Sequence, residues 1–127
     1  MTNREETELH RLSRSFRYAF DGIFHVVRTQ RNARIHGAIT VMVVALGFWL
    51  HLTNLDWAVL ILTMTIVWVS EFFNTALEVH VDLTTPEKSA SAKIAKDVAA
   101  AAVLVASVGA VIIGLIILGP PLFERLF

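Results

Sequence analysis

The run Val98 to Leu118 is 21 residues long and contains no charged side chain. As a helix rising about 1.5 Å per residue it reaches about 30 Å, the thickness of a bilayer's hydrocarbon core. It is the strongest membrane span in the chain. Two further segments join it. Ile35 to Leu52 has 18 residues, with His36 and Thr40 near its start, and would reach about 27 Å, just enough to cross. Leu55 to Val69 is apolar except for Asp56, Thr63 and Thr65. With 127 residues, 55% of them hydrophobic, the chain is one domain and too apolar for an ordinary soluble one. It has no cysteine, so disulfides and thiolate metal sites are excluded, and its net charge of +0 argues against a nucleic-acid binder.

The polar N-terminal part is expected to fray over Thr2 to Glu8. From Leu9 the apolar positions Leu9, Leu12, Phe16, Ala19, Phe20, Ile23 and Val27 follow helical spacing, with Arg11, Arg14, Asp21 and Arg28 mostly between them. This predicts an amphipathic helix on the membrane surface, its arginines toward anionic headgroups. The expected architecture is an all-α membrane protein with a surface helix at about 9–29 and spans at about 32–52, 55–83 and 90–118, in one domain over 1–127. Pro86 predicts a break between the last two spans. Gly119-Pro120-Pro121 is expected to end the third. Ala102, Ala106, Ala110 and Gly114 form a smooth ridge suited to close helix packing in lipid.

Ten of the eleven basic residues lie in Arg4–Arg34 or Lys88–Lys96, and the loop between the first two spans has none. The positive-inside rule then puts the N-terminus and the Leu83–Lys93 connection in the cytoplasm, and the C-terminus outside. The polar ends of spans two and three meet on that cytoplasmic face.

Span two ends in Glu71-Phe-Phe-Asn-Thr-Ala-Leu-Glu-Val-His-Val-Asp82. Glu71, Asn74, Glu78 and Asp82 fall at i, i+3, i+7 and i+11, one stripe of a helix. Such groups at the edge of a membrane segment mark a functional site by default. Lys93, Lys96 and Asp97 open the next span beside them. Carboxylates and an amide can hold Mg²⁺, a lysine can neutralise phosphate, and a carboxylate can accept a proton from a hydroxyl. These are the parts of phosphoryl transfer. The usual nucleotide motif is missing: Gly109 and Gly114 have Walker spacing, but Leu115-Ile116 follow them. A proton- or cation-coupled transporter, or acids paired structurally with Arg or Lys, fit the same residue types.

The stretch Glu71 to Asp82 resembles the signature E-x-x-N-[ST]-A-[IL]-E-x-x-x-D of the prokaryotic diacylglycerol kinase / undecaprenol kinase family. Ala95-Lys96-Asp97 resembles that family's A-K-D segment opening its last span. The resemblance runs from about Arg11 to Leu118. It implies a small bacterial inner-membrane lipid kinase, a homotrimer with sites shared between protomers, that uses Mg²⁺ and ATP to phosphorylate a lipid hydroxyl at the cytoplasmic interface. By the same resemblance Glu71 is the catalytic base and contacts the lipid, Glu78 binds metal and nucleotide, and Asn74 supports the site. Lys96 and Asp97 contact nucleotide, and Asp82 has a supporting role. Tyr18 falls on the nucleotide side of the surface helix and Arg11 on its lipid side.

Two departures stand out. Gln30 occupies the place of a family glutamate that ligates metal, offering a neutral carbonyl to metal and nucleotide instead. In Pro86-Glu87-Lys88-Ser89, Glu87 keeps the acid of a nucleotide-contacting loop that usually reads Pro-Glu-Tyr-His. A weak or inactive homologue acting as a membrane adaptor is the alternative these departures raise. The Arg-Asn-x-x-Ile-His block favours the undecaprenol branch over the diacylglycerol branch. His36 and His80 are expected to be packing or interfacial histidines, and Trp68 a packing residue.

Overall fold

The computed structural model describes residues 3–85 and 89–127, with side chains described from Glu8 onward. Four helices follow in order: α1 Asn3–Thr29, α2 Arg31–Trp49, α3 Asn54–Thr84 and α4 Ala90–Leu126. Among the described residues there is no strand. The last three helices are long and apolar enough to cross a membrane. Lengths of 19, 31 and 37 residues correspond to about 28, 46 and 55 Å. The hydrocarbon core is about 30 Å thick, so α3 and α4 must extend beyond it. That surplus is what carries the polar end of α3 toward water.

Each boundary has a local cause. Gln30, at φ −94° and ψ 121°, breaks an otherwise continuous helix between α1 and α2. α2 ends earlier than the apolar run because the chain turns at Leu50 and at His51, which has a positive φ of 54°. Thr53 then starts α3 with a reciprocal cap: its hydroxyl accepts from the Asp56 amide at 3.2 Å, and the Asp56 carboxylate accepts from the Thr53 amide at 3.1 Å. α4 is capped by the Ser89 hydroxyl, which accepts from the Ala92 amide. The break expected at Pro86 coincides with the gap between α3 and α4, though Pro86 itself lies outside the described residues.

Two expectations about helix ends are corrected. α1 begins at Asn3 rather than near Leu9, and an exposed Glu8–Arg11 pair one turn apart, 3.2 Å, supports that first part. α4 runs through Pro120 and Pro121 to Leu126. Each proline removes one backbone bond, but the turn beyond them is held from outside. Leu122 packs against the cluster of Leu50, Leu60 and Leu118, and the Arg125 guanidinium lies 5.0 Å from the Trp49 ring centroid.

α3 and α4 form the most extensively packed pair. α2 joins α3 through a few specific contacts. Near the turn Phe48 and Trp57 meet with centroids 4.9 Å apart. The Trp57 ring also fills the space beside Gly47, where an added Cβ would come within 2.7 Å of it. Gly47→Ala is therefore expected to push the Trp57 ring off Phe48 and destabilise the fold by about 1–3 kcal/mol. Gly109→Ala, which meets nothing within 4 Å, should leave stability within about 0.5 kcal/mol. Thermal unfolding in detergent, read by Trp emission, compares the two.

Candidate active site

The continuity of α3 makes the stripe real, and its burial is graded along the helix. Glu71 is 1% exposed and Asn74 8%, Glu78 is half-buried, and Asp82 is exposed. The four polar groups thus climb from the protein interior to the helix end. Among the described residues Glu71 is the largest fully buried side chain. Its backbone carbonyl accepts a bond from the Thr75 hydroxyl at 3.0 Å. Its carboxylate oxygen Oε2 is buried with no hydrogen-bond partner. The nearest cationic candidate is His36 on α2, with Nε2 3.9 Å away, beyond hydrogen-bond range.

One turn further on, the Asn74 amide nitrogen donates to Glu78 Oε1 at 3.1 Å. The Asn74 carbonyl oxygen is buried without a partner. Both residues line a cavity of about 250 Å³ shared by α2, α3 and α4, its wall mixing the polar Asn32, His36 and Ser107 with apolar residues such as Ile35 and Val103. On the other side of His36 lies a larger apolar groove of about 340 Å³, lined by residues such as Val43, Leu60, Val67 and Leu118. Ala110 and Gly114 of the small-residue ridge face this groove. Glu71 lines neither space; on α3 it lies between Val67, which lines the groove, and Asn74, which lines the cavity.

Trp68 fixes α2 against this part of α3. Its indole N–H donates to the Thr40 hydroxyl at 3.2 Å, and its ring stacks on Phe72 at 5.8 Å. Thr40 in turn donates to the His36 carbonyl at 2.8 Å. The clamp holds the His36 turn of α2 in register with Glu71.

The remaining candidates lie apart from Glu71. Lys96 on α4 donates to Asp82 on α3 at 2.5 Å, tying the two helix ends together. Asp97 accepts from Lys93 on its own helix, at 2.5 Å. Arg11 is exposed and paired with Glu8. Tyr18 is 61% exposed, with the Arg17 guanidinium 5.7 Å from its ring centroid. Gln30 is half-buried at the α1–α2 break, and its side chain makes no capping bond. Glu87 lies outside the described residues. The chain thus brings together Glu71, Asn74, Glu78 and His36, and separately Asp82 with Lys96. Among the described residues no three His, Asp or Glu side chains are grouped closely enough to hold a metal. His36 is the site neighbour that sequence reasoning passed over. The available signal was an ionisable side chain within a membrane-length segment.

Residues 17–118 match the sequence profile of the family described as prokaryotic diacylglycerol kinase. The chain belongs to that family. A diacylglycerol kinase of Synechocystis sp. is 50% identical over 111 residues, which cover 87% of this chain. The match spans 63% of that relative, so the chain covers less than two-thirds of its length. An undecaprenol kinase of Bacillus subtilis is 41% identical over 115 residues, 91% of this chain and 94% of the relative. Kinases of the prokaryotic diacylglycerol kinase family use a nucleotide co-substrate and usually a divalent metal. Family membership and the three apolar helices identify a prokaryotic membrane protein.

The two ties between helices should differ in weight. The Trp68–Thr40 bond is partly buried and neutral, and losing it should cost about 1 kcal/mol. The Lys96–Asp82 pair is exposed enough for solvent to screen it, to about 0–1 kcal/mol. Trp68→Phe is therefore expected to lower the unfolding midpoint more than Asp82→Asn. The reverse order would mean that the ion pair, not the indole, holds these helices in place.

Proposed function

We propose that this chain is a membrane lipid kinase that transfers the γ-phosphoryl group of ATP to the hydroxyl of a lipid alcohol. Undecaprenol is the favoured acceptor and diacylglycerol the second. The observation that carries the reading is Glu71 Oε2, buried without a hydrogen-bond partner on α3 between Val67, which lines an apolar groove, and Asn74, which with Glu78 lines a second cavity. A buried carboxylate oxygen without a partner is costly. A lipid hydroxyl arriving along the groove supplies the missing donor, and no water-soluble acceptor needs such a groove.

In this reading Glu71 takes the hydroxyl proton as the lipid oxygen attacks the γ-phosphorus. The bond from that phosphorus to the β–γ bridging oxygen breaks, and ADP leaves from the polar side. Glu78 and the unpartnered Asn74 carbonyl are oxygen donors of the kind Mg²⁺ prefers, and both residues line the second cavity. When bound there, Mg²⁺ neutralises charge on the phosphates. Gln30 adds a neutral carbonyl to this set. Lys96, exchanged from Asp82, neutralises phosphate, while Asp97, Tyr18 and Glu87 contact nucleotide and Arg11 contacts lipid.

Among the described residues Arg11, Tyr18 and Gln30 make no hydrogen bond or ion pair with the Glu71 group within one chain. A homotrimer with sites shared between protomers would let α1 of one copy complete the site of another. It would also cover part of the exposed apolar surface of α2–α4. We place the active site and N-terminus in the cytoplasm and the C-terminus outside, from the basic residues Arg28, Arg31, Arg34, Lys93 and Lys96 flanking the spans. α1 lies on the membrane surface, and residues 1–127 act as one kinase domain. Undecaprenol is preferred on the Arg-Asn-x-x-Ile-His block, since the aliphatic groove suits either lipid's tail. In addition, the match to the Bacillus undecaprenol kinase spans 94% of that relative. The 50% identity to the cyanobacterial diacylglycerol kinase favours the second acceptor.

The test is phosphate transfer from Mg-ATP by the purified protein in bilayers, with undecaprenol and diacylglycerol offered side by side. Transfer to either is expected, and Glu71→Gln should lower it by about 10²-fold or more while the oligomer persists. Full activity in Glu71→Gln would remove the base assignment. Absence of transfer to both lipids by a folded protein would favour the adaptor reading. Gln30→Glu is expected to lower the Mg²⁺ concentration needed for half-maximal transfer, and an unchanged value would show that position 30 is not at the metal.

A further inference from the structure

The groove and the second cavity share two lining residues, His36 and Ser107. All three spanning helices change character at one level. Along α2 the cavity gives way to the groove at His36, and along α4 at Ser107. Along α3 the last groove residue is Val67 and the first cavity residue is Asn74, with Glu71 between them. His36 and Ser107 therefore wall the neck between the two spaces, and Glu71, which lines neither, lies at their level along α3.

Ser107 breaks the pattern set by six other hydroxyls of the spanning helices. Thr40, Thr63, Thr65, Ser70, Thr75 and Thr84 each donate to the carbonyl four residues earlier, the usual way a helix satisfies them. Ser107 Oγ is buried and makes no hydrogen bond. A buried hydroxyl without a partner costs stability unless a ligand completes it. At the same level of the bundle, Glu71 Oε2 on α3 lacks a donor and Ser107 Oγ on α4 has a donor to give. A single alcohol oxygen satisfies both, because a hydroxyl donates one hydrogen bond and accepts others.

We infer that Ser107, with His36 facing it, forms a collar that holds the hydroxyl of a primary lipid alcohol in the neck. Ser107 donates to the alcohol oxygen while the alcohol proton points at Glu71. This rests on the lipid-kinase reading and assigns Ser107 as a substrate-contacting residue. The collar reads the alcohol group, and the aliphatic groove holds the tail.

The experiment measures KM for the lipid alcohol and for ATP separately, in wild type, Ser107→Ala and Ser107→Ile, with undecaprenol and diacylglycerol as probes and with thermal unfolding recorded in parallel. For Ser107→Ala the collar predicts a lipid KM raised about tenfold, the loss of one hydrogen bond. The ATP KM should stay unchanged, and the unfolding midpoint should be unchanged or higher. For Ser107→Ile, which fills the neck, it predicts a larger loss of kcat/KM for lipid with the ATP KM again unchanged. A Ser107→Ala enzyme with wild-type lipid KM overturns the collar while leaving the kinase reading intact. So does one in which the lipid and ATP constants rise together or the midpoint falls, since that is the mark of a structural role. A wild-type protein that phosphorylates neither alcohol overturns both.

Discussion

A carboxylate placed inside a membrane helix bundle needs its surroundings to be built around it. Glu71 is almost completely buried, and its Oε2 has no hydrogen-bond partner. Solvation lost on burial is expensive unless restored by bonds or charges. The nearest compensating group, His36, stands 3.9 Å away on another helix. The site therefore depends on α2 being held in register with α3, which is the work of the Trp68–Thr40 clamp one turn along each helix. It depends equally on α3 remaining one unbroken helix from Asn54 to Thr84, so that Asn74 and Glu78 follow Glu71 on the same face.

The lengths of the helices determine where this chemistry lies. α2 is about as long as the hydrocarbon core is thick, whereas α3 and α4 exceed it. The excess of α3 holds the exposed end of the stripe and that of α4 holds Lys93, Lys96 and Asp97. Between them the Asp82–Lys96 pair closes the polar end of the bundle. Along α3 an apolar groove ends at Val67 and a cavity holding Asn74 and Glu78 begins beyond Glu71, an order that suits a reaction joining a greasy alcohol to a charged phosphate donor. Elsewhere large apolar side chains such as Val41, Phe73 and Val105 remain exposed on the isolated chain. In a membrane, apolar surfaces of this kind are suited to lipid.

The spans and the stripe were legible because both rest on periodicity and composition. Val98–Leu118 could hardly be anything but a spanning helix, and the positions of Glu71, Asn74, Glu78 and Asp82 follow from helical geometry alone. Helix ends were less legible, because packing overrides local propensity. α4 passes through Pro120-Pro121 because Leu122 and Arg125 have tertiary partners, and no local rule contains those. His36 was read as a packing histidine because nothing in its own sequence neighbourhood points to Glu71, 35 positions away. Ser107 gave no signal at all: its significance lies in a hydrogen bond it does not make, which only the three-dimensional arrangement reveals. The partnering of Lys96 by Asp82 was likewise a fact of the α3–α4 contact rather than of either motif.

The most direct test of the central claim is to ask which side chains a lipid alcohol meets. A lipid alcohol bearing a small diazirine beside its hydroxyl can be photolysed with the full-length protein in bilayers and its adducts mapped. The account predicts adducts on His36, on residues 67–74 of α3 and on Ser107. Adducts confined to the opposite end of the bundle, around Trp49 and Arg125, or spread evenly over the exposed apolar faces, would contradict it.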